Sequence, residues 1–238
     1  MTLRFLVDQK VFEIAPSYCV GIVVARGVKN GPSSERIGAM LAEAVAERRS
    51  QLPPSPAQVK ALPQIACWRT AFQKAGINPN KFPPSIEAIL LRLAKGGELP
   101  SINSVVDLCN LISVKYVLPV GAHDIGKMSG DFAVRPSKEG EPFSPMGTSQ
   151  RELVPAGEVV YADALEVRTR RWTWRQGENA KITDSSTWVF CPIDGFTDVN
   201  RSEVLRARDE LASMFAEVLG VKPSVYWVDA AQPLVELG

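Results

Sequence analysis

The chain has 238 residues, with 27 Lys and Arg against 26 Asp and Glu and a formal net charge of +1. That length can bury a full core, and a composition of 45% hydrophobic and 22% charged residues excludes wholesale disorder. Apolar runs stay well below the roughly 20 residues of a membrane span, so we expect no membrane partner. The opening segment MTLRFLVDQKVFEI has charges within its apolar stretch and no cleavage-like tail, so we expect no signal peptide.

Cysteine and histidine usage restricts the chemistry. Cys19, Cys67, Cys109 and Cys191 are widely spaced within apolar runs, which predicts reduced core thiols in a cytoplasmic protein. The one histidine, His123, has no cysteine near it, so we expect no metal and no cofactor. Phosphate-binding glycine motifs and the G-x-S-x-G elbow are missing, so standard nucleotide and hydrolase chemistries have no support.

The first half of the chain is predicted to be rich in helices. It opens with two strand-like segments, LRFLV and YCVGIVVARG. Helices follow over ERIGAMLAEAVAERR, capped by Ser33 or Ser34, and from Pro63 to the glycine before INPN. Two more are predicted over IEAILLRLAK, capped by Ser85, and over SVVDLCNLISVKY.

The second half is predicted to be rich in strands. DFAVRP, GEVVYAD, LEVRTRRWTW and TWVFCPIDG are strand candidates divided by Gly, Pro and Asp-Ser turns. A closing helix begins after Asn200, with Glu203 as its cap partner, and ends at Gly220 before a last strand, SVYWVD. The fold class is therefore α+β, a mixed α/β arrangement in a single domain over 1–238.

Three segments carry candidate functional side chains. In LPVGAHDIGKMSGD, either Asp124 positions the His123 imidazole toward a pocket, or Asp124 bonds turn amides while His123 packs. On the helix of SINSVVDLCN, Asn103 is predicted to be a cap, whereas Asn110 is the better pocket candidate.

The third segment is VRTRRWTWRQGENAKITD. Strand periodicity places four side chains on one face, namely Arg168, Arg170, Trp172 and Trp174, with Arg171 and Arg175 on the other. An exposed face of this kind would stack bases and neutralise phosphates, and the alternative is tryptophans in the core with snorkelling arginines. Gly177 permits a tight turn that would project Gln176 and Glu178 into a cleft.

Several of these motifs together are similar to a known family. The segments SINSVVDLCNLISVKYVLPVGAHDIGKMSGDFAVR, KEGEPFSPMG, VVYAD and GENAKITDSSTWVF resemble, in the same order, the B3/B4 module. This module is the editing domain of the bacterial phenylalanyl-tRNA synthetase beta subunit. The resemblance covers about residues 99–195, and the upstream stretch from CWRTAF looks like the freestanding members of that family. On this resemblance, 61–238 is the B3/B4-like part, and 1–60 supplies N-terminal strands and a helix.

The resemblance implies a cleft that receives the 3′ end of a charged tRNA and hydrolyses a wrongly attached amino acid. The chain departs from the family at four pocket positions. Gly121 stands for a histidine, Gln176 for a glycine, Pro192 for a glutamate and Pro100 for an arginine; Asp194 is the nearest acid to Pro192.

The resemblance, with these departures, implies a site composed as follows. The catalytic candidates are His123 and Glu178. The substrate-binding candidates are Asn110, Gly121, Ala122, Asp124, Trp174, Gln176 and Gly177. Arg168, Arg170, Arg175 and Lys181 would meet tRNA phosphates. Backbone amides at Gly121-Ala122 or Gly177-Glu178 would stabilise the oxyanion.

Two functional hypotheses follow from the sequence. The first is a freestanding aminoacyl-tRNA deacylase that acts in trans. The second is a module that binds tRNA, other RNA or a free amino acid without catalysis. No DNA partner is predicted, and a metabolic enzyme on the same fold has no motif behind it.

Overall fold

The computed structural model describes residues 3–148 and 150–238, and it has the predicted α+β fold. The helices in this part of the chain are α1 (Gln9–Ile14), α2 (Glu35–Gln51), α3 (Pro56–Lys60), α4 (Pro63–Lys74), α5 (Ser85–Ala94), α6 (Ser104–Tyr116) and α7 (Arg201–Leu219). The strands are β1 (Leu3–Val7), β2 (Tyr18–Arg26), β3 (His123–Asp124), β4 (Phe132–Pro136), β5 (Glu141–Phe143), β6 (Glu152–Val154), β7 (Val159–Ala162), β8 (Val167–Arg170), β9 (Arg175–Gln176), β10 (Trp188–Phe196), β11 (Ser224–Val228) and β12 (Leu234–Leu237).

Helix ends follow local chemistry in most places. The Ser34 hydroxyl accepts from an amide in the first turn of α2, and the Asn103 side chain accepts from the Val106 amide at 3.0 Å, so these two predicted caps are confirmed. The predicted Ser85 cap is wrong, because Pro84 holds the cap position of α5 and no side chain caps that helix. Gly220 ends α7 with a φ of 65°. The predicted cap pair at the start of α7 is wrong, because the Asn200 side chain accepts from the Phe196 amide instead.

The strands form two sheets. The larger sheet has the order β12-β1-β4-β7-β8-β5-β6, with β9 paired to β8. The smaller sheet has the order β11-β2-β10-β3. Long antiparallel pairing of β2 with β10, from Tyr18–Phe196 to Arg26–Trp188, ties the first twenty-six residues to the second half of the chain.

The smaller sheet is the middle layer of the molecule. Alternate residues of β2 and β10 pack against α2, α6 and α7 on one face, as Cys19 and Cys191 do. The residues between them, such as Ile22 and Phe190, pack against the larger sheet and against α4. Both faces of the layer are therefore apolar, which explains the continuous β-branched run that the sequence shows in β2.

Close approach of α7 to this layer requires glycine. A Cβ added to Gly195 of β10 would lie 2.4 Å from a methyl carbon of Val204 and 2.7 Å from the side-chain oxygen of Asn200. Gly195 therefore lets α7 lie directly on β10, the strand that also supplies the floor of the site below.

Candidate functional site

A cavity of about 140 Å³ opens beside β10 on the face that packs against the larger sheet. It is lined by Pro192 and Asp194 of β10, by Gly121 and His123 around the start of β3, and by Tyr161 of β7. Residues 172–176, which run from the turn after β8 through β9, form much of the remaining wall and the mouth. Cavities of roughly 150 Å³ hold molecules as large as benzene, so this one has room for a small amino acid and not for a nucleotide.

Asp194 forms the buried acidic floor of the cavity. The Tyr161 hydroxyl donates to its Oδ1 at 2.5 Å, and the Tyr18 hydroxyl donates to the same oxygen. The other oxygen, Oδ2, has no hydrogen-bond partner in the described part of the chain. Burial raises the pKa of Asp194 to about 7, although the two tyrosine hydroxyls favour its anion.

His123 is a neutral imidazole in the wall of the cavity. Its ring stacks on Tyr161 with centroids 5.8 Å apart, and it is 2% exposed. Burial, and then the positive charge of Arg168, lowers the pKa of His123 to about 3. At neutral pH the ring therefore carries one proton.

The Gln176 side chain determines which ring nitrogen carries that proton. Its amide nitrogen donates to the Ala122 carbonyl at 2.6 Å and also faces the Ala180 carbonyl. An amide oxygen would be repelled there, so the group that lies 3.3 Å from His123 Nδ1 is the donor. His123 Nδ1 accepts and its Nε2 carries the proton.

Gly121 leaves the space beside that Nε2–H. A Cβ at this position would lie 3.1 Å from Pro192 Cγ and 3.3 Å from His123 Nε2. Gly121, Gln176 and Pro192 are three positions at which the family pocket was expected to differ, and all three line this one cavity. Pro100, the fourth, is exposed and is not among the lining residues.

Asp124 does not position the imidazole. Its carboxylate accepts from the Ser186 hydroxyl at 2.7 Å and from the Gly126 amide at 3.1 Å, so the turn interpretation is correct for this residue. Since Asp124 follows His123 on β3, the two side chains point to opposite faces.

Glu178 and Asn110 lie outside the cavity, which corrects the prediction that both belong to the pocket. The Glu178 carboxylate accepts from the Gly147 amide at 3.1 Å and pairs with Lys181, and this pairing lowers its pKa. Asn110 lies on α6, in the layer behind the smaller sheet. Neither side chain contributes to the cavity lining.

Three of the amides expected to stabilise an oxyanion are already bonded. Gly121 N–H donates to the Pro192 carbonyl at 2.9 Å. Gly177 N–H donates to the Arg168 carbonyl and Glu178 N–H to the Ser144 carbonyl, both at 2.8 Å. Ala122 N–H, the fourth of these amides, has no hydrogen-bond partner among the described residues, so a donor for the oxyanion would be this amide or a side chain.

Of the two alternatives for the arginine and tryptophan segment, the exposed face is wrong, and a tryptophan in the core is correct for Trp172. Strand β8 ends at Arg170, and Arg171 and Trp172 have left-handed φ values of 49° and 63°, which breaks the period of two. This turn buries Trp172 completely in the core between the sheets.

The arginines of β8 are buried in ion pairs and are not available to phosphates. Arg168 bridges Asp163 at 2.6 Å and Glu166 at 2.7 Å. Arg170 pairs in the same way with two carboxylates, Glu152 at 2.6 Å and Glu158 at 2.8 Å.

Cations and aromatic rings gather at the mouth of the cavity instead. Arg175 is exposed and lines the mouth together with Trp174. The Arg171 guanidinium lies 3.7 Å from the centroid of Phe82 and 4.6 Å from that of Trp174. Lys181 is also partly exposed, at 39%, but pairs with Glu178.

Sequence reasoning missed the tyrosines of the floor and the role of Phe82. A lone aspartate within the apolar strand VFCPIDGF was the signal for a buried polar site, whereas Tyr18 and Tyr161 stand in apolar runs that resemble any core strand.

Two other kinds of feature are absent from the described residues. Within 3–148 and 150–238, no group of three or more His, Cys, Asp or Glu side chains has the arrangement to hold a metal ion. None of the described helices combines the length and the apolar character that crossing a membrane requires.

Comparison with known proteins connects this geometry to one family. Residues 67–220 match the family described as "B3/4 domain". The chain is 31% identical over 128 residues to the phenylalanine–tRNA ligase beta subunit of Lactococcus lactis, which covers 52% of this chain and 16% of that subunit. It is 28% identical over 147 residues to the same subunit of Novosphingobium aromaticivorans, covering 62% of this chain and 18% of that subunit.

A solved structure matches over a longer part of the chain. It is an N-terminal fragment of the phenylalanyl-tRNA synthetase beta subunit from Pyrococcus horikoshii, with 13% identity and a TM-score of 0.49 over 92% of this chain and 49% of that one. The matched region thus spans less than a fifth of the length of the two curated relatives above. The family match covers more than half of the residues of this chain, and the chain therefore belongs to the B3/4 domain family.

Proposed function

We propose that this chain is an aminoacyl-tRNA editing-type protein that hydrolyses the ester of a mischarged tRNA in trans. One observation carries the proposal. Three pocket positions of the family, Gly121, Gln176 and Pro192, converge with His123 and Asp194 on one cavity of amino-acid size. The amino acid would occupy the cavity, and the tRNA end would lie across its mouth.

The proposed reaction is the addition of water to the ester carbonyl. The tetrahedral intermediate then collapses, its C–O bond to the ribose breaks, and the amino acid and the tRNA hydroxyl are released. A neighbouring hydroxyl of the terminal ribose would order the water, and the proton that the attacking water gives up would pass to the departing ribose oxygen, which is thereby released as a hydroxyl.

His123 would act as a donor in this reaction and not as a base. With a pKa of about 3 the imidazole is a poor proton acceptor at neutral pH, but its Nε2–H faces the space left by Gly121. A neutral imidazole placed in this way stabilises a developing oxyanion. Gln176 would be a positioning residue, since it holds Nδ1 as the acceptor.

The tRNA would meet the mouth of the cavity. Arg175 and Lys181 are the predicted phosphate contacts whose side chains reach solvent, and Arg171 with Trp174 adds a cationic aromatic surface. Stacking and phosphate contacts together are the usual means of holding single-stranded nucleic acid.

The second candidate is a binding module without catalysis. It is favoured by the bonded amides of Gly121, Gly177 and Glu178, which leave the first candidate with one of its four expected backbone oxyanion donors, Ala122 N–H. In this case the cavity would still bind an amino acid or the end of an aminoacyl-tRNA.

Loss of the ester from a panel of correctly and wrongly charged tRNAs tests the proposal. Selective hydrolysis of one pair is expected, and His123→Ala should slow it roughly a hundredfold, the usual cost of removing one oxyanion donor. Glu178→Gln is the matched control and should leave the rate unchanged, since Glu178 lies outside the cavity. If the folded protein hydrolyses none of the charged tRNAs, the editing proposal is contradicted and the second candidate, the binding module, is favoured.

A further inference from the structure

One carboxylate oxygen of Asp194 is available to a ligand in the cavity. Asp194 is 2% exposed, lines the cavity, and receives both tyrosine hydroxyls on Oδ1. Oδ2 receives no hydrogen bond from the described residues, although it belongs to a group that accepts strongly when ionised. Because Asp194 lines the cavity, a donor on a ligand can reach this oxygen.

The surroundings of Asp194 favour a cationic donor over a neutral one. Its described partners are two uncharged hydroxyls, and the one cation among the described lining residues, Arg175, is an exposed side chain at the mouth. Tyr161, Trp172 and Trp174 contribute aromatic rings to the wall, and such rings attract cations electrostatically. A ligand cation would supply the counter-charge that the protein leaves out.

The Nε2–H of His123, the hydrogen-bond donor on the cavity wall, indicates which group of the ligand lies next to its cation. Tyr161 connects the two groups, because its ring stacks on His123 and its hydroxyl bonds to Asp194. An acceptor at the floor and the Nε2–H of His123 on the wall complement a ligand that carries both an ammonium and a carbonyl oxygen. That arrangement is found in an α-amino ester or amide. The Thr173 hydroxyl, also buried, lining and without a described partner, offers a further polar contact.

We infer that Asp194 binds the free α-ammonium group of the ligand through Oδ2. This inference rests on the proposed function, because it names the substrate class of the same site. Substrates with a blocked amine, such as peptidyl or N-acylated aminoacyl esters, would lose this ion pair and be rejected. The protein would then distinguish aminoacyl-tRNA from peptidyl-tRNA at the floor of its cavity.

Three small amides that cannot lose an ester test the inference: L-alaninamide, its N-acetyl derivative and L-lactamide, which has a hydroxyl in place of the amine. Binding is followed by the fluorescence of Trp172 and Trp174 or by calorimetry. L-alaninamide should bind roughly tenfold to a hundredfold more tightly than the other two, the range for hydrogen bonds to charged groups. Asp194→Asn should remove this preference, whereas Asp198→Asn, at an exposed aspartate, should retain it.

Equal binding of the N-acetyl derivative would overturn the inference, as would equal binding of L-lactamide or no binding of L-alaninamide. These comparisons use the unaltered protein, so they decide the matter even if Asp194→Asn fails to fold. They also separate the two proposals. Binding that requires the ammonium group, without ester hydrolysis, supports this inference and contradicts editing. Ester hydrolysis with no requirement for the ammonium group supports editing and contradicts this inference.

Discussion

At the scale of single residues, His123 and Asp194 make opposite contributions to stability as the pH changes. Asp194 has its pKa raised from 3.8 to about 7, so it stabilises the folded chain at low pH and loses that contribution as pH rises through this interval. His123 has its pKa lowered from 6.5 to about 3, so its contribution is present above 6.5 and is lost as pH falls. Between about pH 4 and 6.5 the two slopes offset each other.

Removing either ionisable group should reveal how the other makes the free energy of unfolding depend on pH. Relative to the unaltered protein, the free energy of unfolding of Asp194→Asn should rise by about 1.4 kcal/mol per pH unit between pH 4 and 7. That of His123→Gln should instead rise as pH falls from about 6.5 to 4. Urea unfolding at four pH values measures both, and parallel curves for all three proteins would contradict the buried titrations.

Two arginines close together in the sequence should behave differently when replaced. Arg168→Met leaves Asp163 and Glu166 buried without their cation, so we expect a loss of roughly 3 to 5 kcal/mol in the free energy of unfolding. Arg175→Met should change that free energy by less than about 0.5 kcal/mol, because the Arg175 side chain is exposed.

Replacing Arg175 should weaken tRNA binding although it hardly changes the stability of the fold. Its replacement should lower the slope of log affinity against log salt by about 0.7, the value for one phosphate contact to a single strand. Filter binding at several salt concentrations measures the slope. An unchanged slope would remove Arg175 from the phosphate contacts.

At the scale of elements, the contact between α7 and β10 depends on one missing methyl group. Gly195→Ala would place a Cβ within 2.4 Å of Val204, so we expect a loss of about 1 to 3 kcal/mol, as for other overpacked cores. Gly38→Ala in α2 is the control. Nothing lies within 4 Å of its added Cβ, and alanine is the better helix former, so the free energy of unfolding should rise by up to about 1 kcal/mol. Equal thermal melting temperatures for the two variants would contradict this packing.

The long elements could be predicted from the sequence because their periodicity extends over many residues. The helices α2, α4, α6 and α7 and the strands β2 and β10 have caps, glycine ends or apolar runs that indicate them. The short helices α1 and α3, of six and five residues, offer too few turns for a period to show.

Two features of the site could not be predicted from the periodicity of apolar residues in the sequence. The left-handed pair Arg171 and Trp172 turns the chain without a glycine, so nothing in VRTRRWTW marks the end of the strand. The carboxylates that neutralise Arg168 belong to Asp163 and Glu166, in the connection between β7 and β8, and the sequence does not show that this connection folds back onto the arginine. Resemblance to the family identified the cavity positions, while the contacts of Asp194 emerged only from the folded chain.

At the scale of the whole molecule, we propose that residues 1–60 and 61–238 fold as one domain. β2 lies between β10 and β11, and β1 lies between β4 and β12, so both sheets need strands from the first sixty residues. A fragment of 61–238 should therefore lack a cooperative transition, whereas the full chain should unfold in one step by fluorescence and circular dichroism. Separate transitions for the two signals in the full chain would contradict a single domain.

The alternation of side chains along β10 has a consequence for how this protein can diversify. Positions 192 and 194 face the cavity, whereas positions 191, 193 and 195 face the helices. Substitutions at the first pair therefore alter ligand chemistry and leave the helix contacts intact, and evolution can exchange one recognised compound for another on an unchanged scaffold. The same alternation forbids a slip of one residue, which would move the carboxylate against α7 and a thiol into the cavity.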